Sequence, residues 1–297
     1  MLPEDSEKGR TLSARDQLLV VIDPVARRTD GESVRIAKDV LGAGAAVRIC
    51  LPEGPEDFAK ALARRGTRRP VVIGDDRALL RAVAALHRER ELHSCAVSVV
   101  PVGAVQVLSR SLGVPIGAVA AARAVLEGAE RRLDLLVDDS DGVVLGTLRI
   151  PPVAASASES ASGGASGSTS GSTAVDGHPW LRTCQSFVRT LARPSRVASA
   201  PGPAPARLRV EADGVLVVDL DQPVEGVSVR PGSDGFAEVE VRPTSVGAAA
   251  QALRVRARTI TVSGADFRYR ADAVVGGPVR TRTWAVRASA WGLMLPR

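Results

Sequence analysis

"VVIGDDRALLRAV" (residues 71–83) decides how the chain folds. A run of β-branched residues ends at Gly74, two acids follow, and an apolar stretch at helical spacing begins. Many folds build a phosphate cradle from a strand, a glycine turn and a helix. Backbone N–H groups at a helix N-terminus point outward there and carry partial positive charge. This turn holds a single glycine, and charged side chains stand where a phosphate needs bare backbone. The stretch is a nucleotide site or what remains of one.

The same alternation continues on both sides. "LLVVID" (18–23) is an apolar run ending at Asp23-Pro24, which suits a strand buried in a parallel sheet. "GESVRIAKDVLGAG" (31–44) sets Val34, Ala37, Val40 and Leu41 at helical spacing and stops at Gly42 and Gly44. "AAVRIC" (45–50) is a second strand. "GPEDFAKALARRG" (54–66) is a helix with Pro55 near its start, acids in its first turn and Arg64-Arg65 in its last, as the macrodipole favours. "PVVIG" (70–74) is the third strand, "RALLRAVAALHRER" (77–90) its helix, and "AVSVVPVG" (96–103) the fourth strand. "AVQVLSRSLGVP" (104–115) and "GAVAAARAVLEGAERR" (117–132) read as two further helices. Strand and helix alternating to residue 130 predict a parallel α/β sheet with helices on both faces.

The pattern then changes. "RLDLLVDD" (132–139) and "GVVLGTLRI" (142–150) are strands with no helix between them. Residues 155–177 are a Ser/Gly/Ala tract with only Glu159 and Asp176 charged, a composition that cannot bury a core and predicts a disordered insert. Residues 178–198 read as a short helix or an irregular edge. From Arg207 onward short strands and turns dominate, with Asp-Gly turns at 213–214 and 234–235 that support hairpins. The expected organisation is a flexible tail (1–15), an α/β domain (16–130) and a C-terminal antiparallel β-sandwich or barrel-like domain (131–297). The second domain carries the disordered insert at about 154–177.

Composition sets the outer limits. The chain has 297 residues, 45% of them hydrophobic and only 3% aromatic, so its core must be Val, Leu and Ala. The net charge is +6 and the pI about 10.0, which allows an acidic partner without demanding one. A strong Ala, Arg, Val and Gly bias matches a GC-rich coding background and weakens any argument from arginine count alone. Scarce aromatics leave few stacking platforms for nucleic acid, so none is expected as a partner. Cys50, Cys95 and Cys184 are scattered and form no CxxC pair, pointing to a reducing compartment. The polar start lacks an apolar leader and no run approaches a membrane span. The expected location is cytoplasmic, with peripheral membrane attachment left open.

An α/β half followed by an all-β half, with these turns, resembles the diacylglycerol kinase catalytic family, the lipid kinases related in fold to NAD kinases. "VVIDPVA" (20–26) sits where that family has a strand ending in Asn-Pro-x-Ser-Gly, and "VVIGDDRALLRAV" where it has Gly-Gly-Asp-Gly-Thr and its helix. "SVVPVGAVQVLSRSLGVP" (98–115) is similar to the Pro-x-Gly-Thr-x-Asn-Asp-x-Ala-Arg segment with its trailing Leu-Gly-x-Pro. "RRLDLL" (131–136) and residues 262–296 resemble the start of the second domain and its closing strands. The matches come in the correct order along nearly the whole chain. The resemblance implies ATP-dependent phosphorylation of a diacylglycerol-like lipid hydroxyl, with Mg²⁺ bridging the phosphates.

The departures fall on the chemistry. Laid on the nucleotide loop, Gly74 and Asp76 keep the family residues, Asp75 and Arg77 replace glycines, and Ala78 replaces threonine. In the next segment Gly103 is kept, Ala104 takes the Thr position, Gln106 the Asn position and Val107 the Asp position. In the first motif Asp23 replaces Asn. An acid about 4 Å from a phosphate charge costs about 1 kcal/mol in bulk water and about 4 kcal/mol at a surface-like dielectric. Arg77 offsets Asp75, so charge alone does not decide. Lost backbone access and lost hydroxyls decide more clearly, and they favour an eroded site over a working one. The candidate nucleotide-contacting set is Asp23, Gly74, Asp75, Asp76, Arg77, Ala78, Gly103, Ala104 and Gln106, with no metal ligands proposed.

The resemblance also implies a general base in an Asp-Gly-Glu segment of the second domain. Here "YRADAVVG" (269–276) keeps only the aspartate, Asp272, which is a catalytic candidate and equally a turn residue. Separately, Arg254, Arg256 and Arg258, then Arg268 and Arg270, then Arg280 and Arg282 alternate with period two. Neighbouring strands of this kind would make a basic sheet face for anionic headgroups, or a plain solvated face. His87, His93 and His178 are too dispersed for a triad, and the acids at 134–141 read as a polar hairpin. Three readings stay open: an active lipid kinase with an altered loop, a non-catalytic nucleotide- or anionic-lipid-binding scaffold (a pseudokinase), and, last, a nucleic-acid binder. The resemblance implies ATP and Mg²⁺ as cofactors if the site works and none if it does not. An oligomer is left open.

Overall fold

Buried β-branched runs build the first half of the molecule. In the computed structural model, which describes residues 17–152, 205–244 and 251–297, four strands run parallel in the order β2-β1-β3-β4. They are β1 (Gln17–Ile22), β2 (Ala46–Cys50), β3 (Arg69–Gly74) and β4 (Ala96–Pro101). Helices cover both faces, which is why the inner strands carry no polar alternation. Leu18, Val20, Ile22, Val71 and Ile73 pack on α1 (Pro24–Thr29), α2 (Gly31–Gly44) and, later in the chain, the helix spanning Ala118–Glu127. Leu19, Val21 and Val72 pack on α3 (Pro55–Ala63) and α4 (Asp76–Arg88). α5 (Val107–Ser111) follows β4 and leads to α6 (Ala118–Glu127).

The described residues after α6 are strands, turns and loops. β5 (Ala129–Asp138), β6 (Val143–Val144) and β7 (Leu148–Ile150) are followed by β8 (Leu208–Ala212), β9 (Val215–Val218), β10 (Val224–Pro231), β11 (Ala237–Pro243) and β12 (Leu253–Ala257), then β13 (Thr259–Ala271) and β14 (Val274–Leu295). Alternate residues point into one core, with Val227 and Val229 of β10, Val239 and Val241 of β11, and Ile260 and Val262 of β13 all buried. Trp284 closes that core, edge-on to Tyr269 with ring centres 5.2 Å apart. β13 turns a corner: its first part pairs with β8 and its last residues with β7, with a register shift between Ser263 and Phe267. Strands that switch layers do so at such irregularities.

β14 joins the halves. Its start pairs with β13, its middle and end pair antiparallel with β5, and Gly292 and Leu293 lie parallel to Ala96 and Val97 of β4. One sheet therefore runs from the α/β half into the β half. Where β14 bulges between Arg287 and Trp291, the buried Asp134 carboxylate accepts the Ser289 N–H and the Gly235 N–H, both at 2.7 Å. Asp134 thus ties the β10–β11 turn to the joint.

Several local expectations change. The helix expected over 104–115 is only one turn, because Asp76 draws its first amides inward. Residues 129–132 extend β5 instead of α6, since Gly128 ends the helix and Leu295 to Gly292 offer a pairing edge. "GVVLGTLRI" breaks into β6 and β7 at Leu145-Gly146-Thr147, and residues 252–264 divide at Arg258, whose N–H is held by Asp213. Four of the seven ladder arginines face carboxylates. Arg254 meets Glu240, Arg256 meets Asp234, Arg280 meets Asp266 and Arg282 meets Asp139. The expected tail, the Ser/Gly insert, the 178–198 segment, His178 and Cys184 lie outside the described residues, where Cys50 and Cys95 are free thiols.

Candidate functional site

Three loops leave the carboxyl ends of β1, β3 and β4, where open α/β sheets place their ligands. Backbone bonds lash them together: Asp23 N–H to Ile73 O at 2.9 Å, Val102 N–H to Gly74 O at 3.0 Å, and Asp76 N–H to Val105 O at 3.0 Å. Gly74 is the pivot. A Cβ there would lie 2.6 Å from the Ala78 Cβ and 2.9 Å from the Asp23 Cβ, so no larger residue fits. A Cβ at Gly103 would lie 3.3 Å from the Asp75 Cβ. Asp23, Gly74, Asp75, Asp76, Ala78 and Gly103 therefore share one small region.

Each carboxylate there is already engaged. Asp23, 1% exposed, caps α1 by accepting Val25 N–H at 2.8 Å, and its other oxygen pairs with Arg81 of α4. The Arg81 guanidinium lies over the Phe58 ring, 5.4 Å from its centre. Asp75 caps α4, with one oxygen accepting Arg77 N–H at 3.0 Å and Ala78 N–H at 3.1 Å. The Asp75 backbone carbonyl takes Leu79 N–H at 3.2 Å, and Val105 O takes that of Asp76. The amides of Asp76, Arg77 and Ala78, which a helix normally leaves open, thus have internal acceptors, and Leu79 N–H makes the first bond within the helix. Asp76, 2% exposed, accepts Leu108 N–H at 2.7 Å, Ser109 N–H at 2.9 Å and the Ser109 hydroxyl at 2.8 Å, fixing the start of α5.

Asp272 stands in the tight turn between β13 and β14 with φ at 49°. One oxygen accepts Gly146 N–H at 2.9 Å and Thr147 N–H at 2.7 Å, and the other accepts Leu145 N–H at 2.8 Å. It also donates its own N–H to Thr147 O at 2.8 Å. A Cβ on Gly146 would meet the Leu108 side chain at 2.7 Å and the Asp272 carboxylate at 3.0 Å, so this glycine lets the β half close against α5. Burial pushes the Asp272 carboxyl above its ordinary 3.8; the three amides pull it down and the Asp76 charge pushes it further up.

The remaining candidates sit around these groups. Arg77 is exposed in the first turn of α4, and Ala104 is exposed in the β4–α5 loop. Gln106 donates its side-chain amide to Gly103 O at 2.9 Å. Ala78 is fully buried against Gly74. Sequence reasoning missed Arg81, one helical turn beyond Arg77, and the Leu145-Gly146-Thr147 loop. An isolated glycine inside an apolar strand pattern is the signal that marks such a loop. Among the described residues no group of three or more His, Cys, Asp or Glu side chains is arranged to hold a metal ion, and no helix is long and apolar enough to cross a membrane.

Residues 17–137 match the family model of the diacylglycerol kinase catalytic domain. This stretch belongs to the diacylglycerol kinase catalytic-domain family. The matched span holds the three lashed loops, from Asp23 through Gln106. No individual curated protein matches the chain. Solved structures assigned as diacylglycerol kinases from Bacillus anthracis str. Sterne share its fold. One has a TM-score of 0.66 at 14% identity over 94% of this chain and 97% of its own. Another has a TM-score of 0.63 at 12% identity over 94% and 97%. Gly74 and Asp76, expected from the resemblance to be the loop's glycine and aspartate, both hold structural positions.

Proposed function

We propose that this is a lipid-kinase-family protein whose phosphate cradle is filled by its own carboxylate, so that it recognises a diacylglycerol-like lipid with little or no phosphotransfer. One observation carries the reading. The α4 amides that a nucleotide phosphate would need are bonded to Asp75 and to backbone carbonyls. The residues present therefore do not fit ATP as the loop stands. Lipid recognition is supported by the family, and exposed apolar side chains stand near the candidate residues. Val107 is 69% exposed next to Leu108, and Val274 is 58% exposed two residues beyond Asp272.

A second reading, weak residual kinase activity, is favoured by Asp272. Its raised pKa makes it a stronger base than an ordinary aspartate, suited to take the proton from a lipid hydroxyl. Against it stand three amides that occupy both oxygens. Two measurements decide. The native chain should show no thermal shift with Mg-ATP, and radiolabelled ATP should transfer no label to diacylglycerol in mixed micelles. Label transfer that disappears in Asp272→Ala would establish the second reading and overturn the first.

A further inference from the structure

Arginines of the β half that stand directly opposite a charged residue on the next strand mostly meet glutamate. Arg254 faces Glu240, and Arg256 and Arg230 both face Glu238. One pair among the described ladders breaks this pattern: Arg270 of β13 lies directly opposite Arg149 of β7. Both residues are half-buried. Side chains in such a pair have Cβ atoms about 5 Å apart, and like charges there destabilise a sheet. An anion between the two would turn that repulsion into attraction.

The neighbouring residues do not supply one. Val227, Val229, Leu148, Ile150 and Tyr269 turn into the core. Ser228, Arg149 and Arg270 alternate with them and therefore share the outer face. Ser228 flanks Arg149, and Glu240 follows in the same row. Both Glu240 oxygens are engaged, one by Arg242 at 2.8 Å and the other by Arg254 at 3.2 Å. Asp272 comes two residues after Arg270, and its oxygens hold the amides of Leu145, Gly146 and Thr147. Arg270 has no ion pair or hydrogen bond among the described residues, and its Nε is closed off from solvent without an acceptor. A shielded donor on a charged group is costly to leave unmet.

We infer that Arg149 and Arg270, with the Ser228 hydroxyl beside them, form a receptor for a phosphomonoester on the outer face of the β half. Guanidinium forks match phosphoryl oxygens, and two positive charges side by side suit a group that carries close to two negative charges near neutral pH. The site is built on β7, β10 and β13 and takes nothing from the loops after β1, β3 and β4. Val275, opposite Arg270 on its other side and 46% exposed, sets an apolar side chain beside the pair. A free phosphate and a lipid headgroup carry the same chemistry, and the test separates them.

The full chain is melted in inorganic phosphate and in chloride at equal ionic strength. It is also sedimented with phosphatidylcholine vesicles carrying phosphatidic acid or, at equal charge, phosphatidylglycerol, a phosphodiester. A higher Tm in phosphate than in chloride assigns free phosphate; preference for phosphatidic acid without that rise assigns a headgroup. Arg270→Glu restores the arginine–glutamate pattern of the rest of the sheet. It should raise Tm in chloride and weaken the phosphate or phosphatidic acid response about tenfold or more. Arg149→Gln should also lose the response, and Arg254→Ser should keep it. A native chain that answers neither probe overturns the inference. So does an Arg270→Glu form that binds as the native chain does or melts lower in chloride, or an Arg254→Ser form that loses the response equally. Should Arg270→Glu fail to fold, Arg270→Gln must lose the response, and retention of it is equally fatal. The fate of the nucleotide loop is read separately, by label transfer from Mg-ATP.

Discussion

The loop cluster around Asp23, Asp76 and Asp272 and the outer edge of the β half use the same chemistry to different ends. In this cluster, Asp23, Asp76 and Asp272 are buried or nearly so, and each holds at least one donor from a distant part of the chain. At the edge, β12 and β11 set Arg254 against Glu240 and Arg256 against Asp234, on side chains 78% and 57% exposed for the arginines. An exposed pair trades contacts with water at nearly even terms, so it contributes about 0–1 kcal/mol. A buried acid on amides has no such exchange, because deleting it strands donors that water cannot reach. The difference teaches that these buried aspartates work here as ties between loops.

The largest expected effect comes from Asp76. Asp76→Ala strands two amides and a hydroxyl at the start of α5 and should destabilise the fold by about 3 kcal/mol or more. Urea unfolding measures this. A loss under about 1 kcal/mol would mean that the α5 amides find other partners, and the contrast between loop cluster and edge would fail at its strongest point.

Asp272 gives an effect of intermediate size with a sign. Its folded pKa lies above the ordinary 3.8, so the native state binds more protons than the unfolded chain between those values. The stability it contributes is full below the unfolded value and falls as pH rises through the raised one. Relative to Asp272→Asn, the native chain should therefore lose Tm with rising pH over that window and then level off. Thermal melts from pH 4 upward check it. A Tm difference that grows with pH would mean that the Leu145, Gly146 and Thr147 amides outweigh burial.

Much of the fold was legible because its signals are local. Runs such as Val71–Gly74 have no polar alternation, and Pro55 and the acids beside it mark a helix start; these features depend on neighbours in sequence. The order of the family-like turns matched the family model over residues 17–137. The fate of the acids was not legible. "GDD" allows Asp75 to face solvent or to cap the following helix, and nothing in sequence shows that Asp76 points to Ser109, 33 residues away. The same holds for Arg81, whose partner Asp23 is 58 residues distant. Period two correctly placed arginines on one face of β12, but the opposing carboxylates of β11 arrive only with the register Glu240↔Arg254 and Glu238↔Arg256.

That register supplies the smallest expected effect and the sharpest check on the edge. Arg254→Ser removes a pair at 3.2 Å from an arginine that is mostly in water, and Glu240 keeps Arg242 at 2.8 Å. Stability should fall by less than about 1 kcal/mol, and less again at high salt. Arg256 differs slightly, because it also lies 5.1 Å from the centre of the Phe236 ring, with Arg258 at 4.9 Å. Arg256→Ser should therefore cost somewhat more, and salt should not erase the whole of it, since a cation on an aromatic face is screened less than an open ion pair. Because these arginines already face carboxylates, neither substitution should weaken sedimentation of the chain with anionic vesicles. A loss of vesicle binding in Arg254→Ser would return the edge to the status of a lipid-binding face and remove the distinction between spent acids inside and matched charges outside.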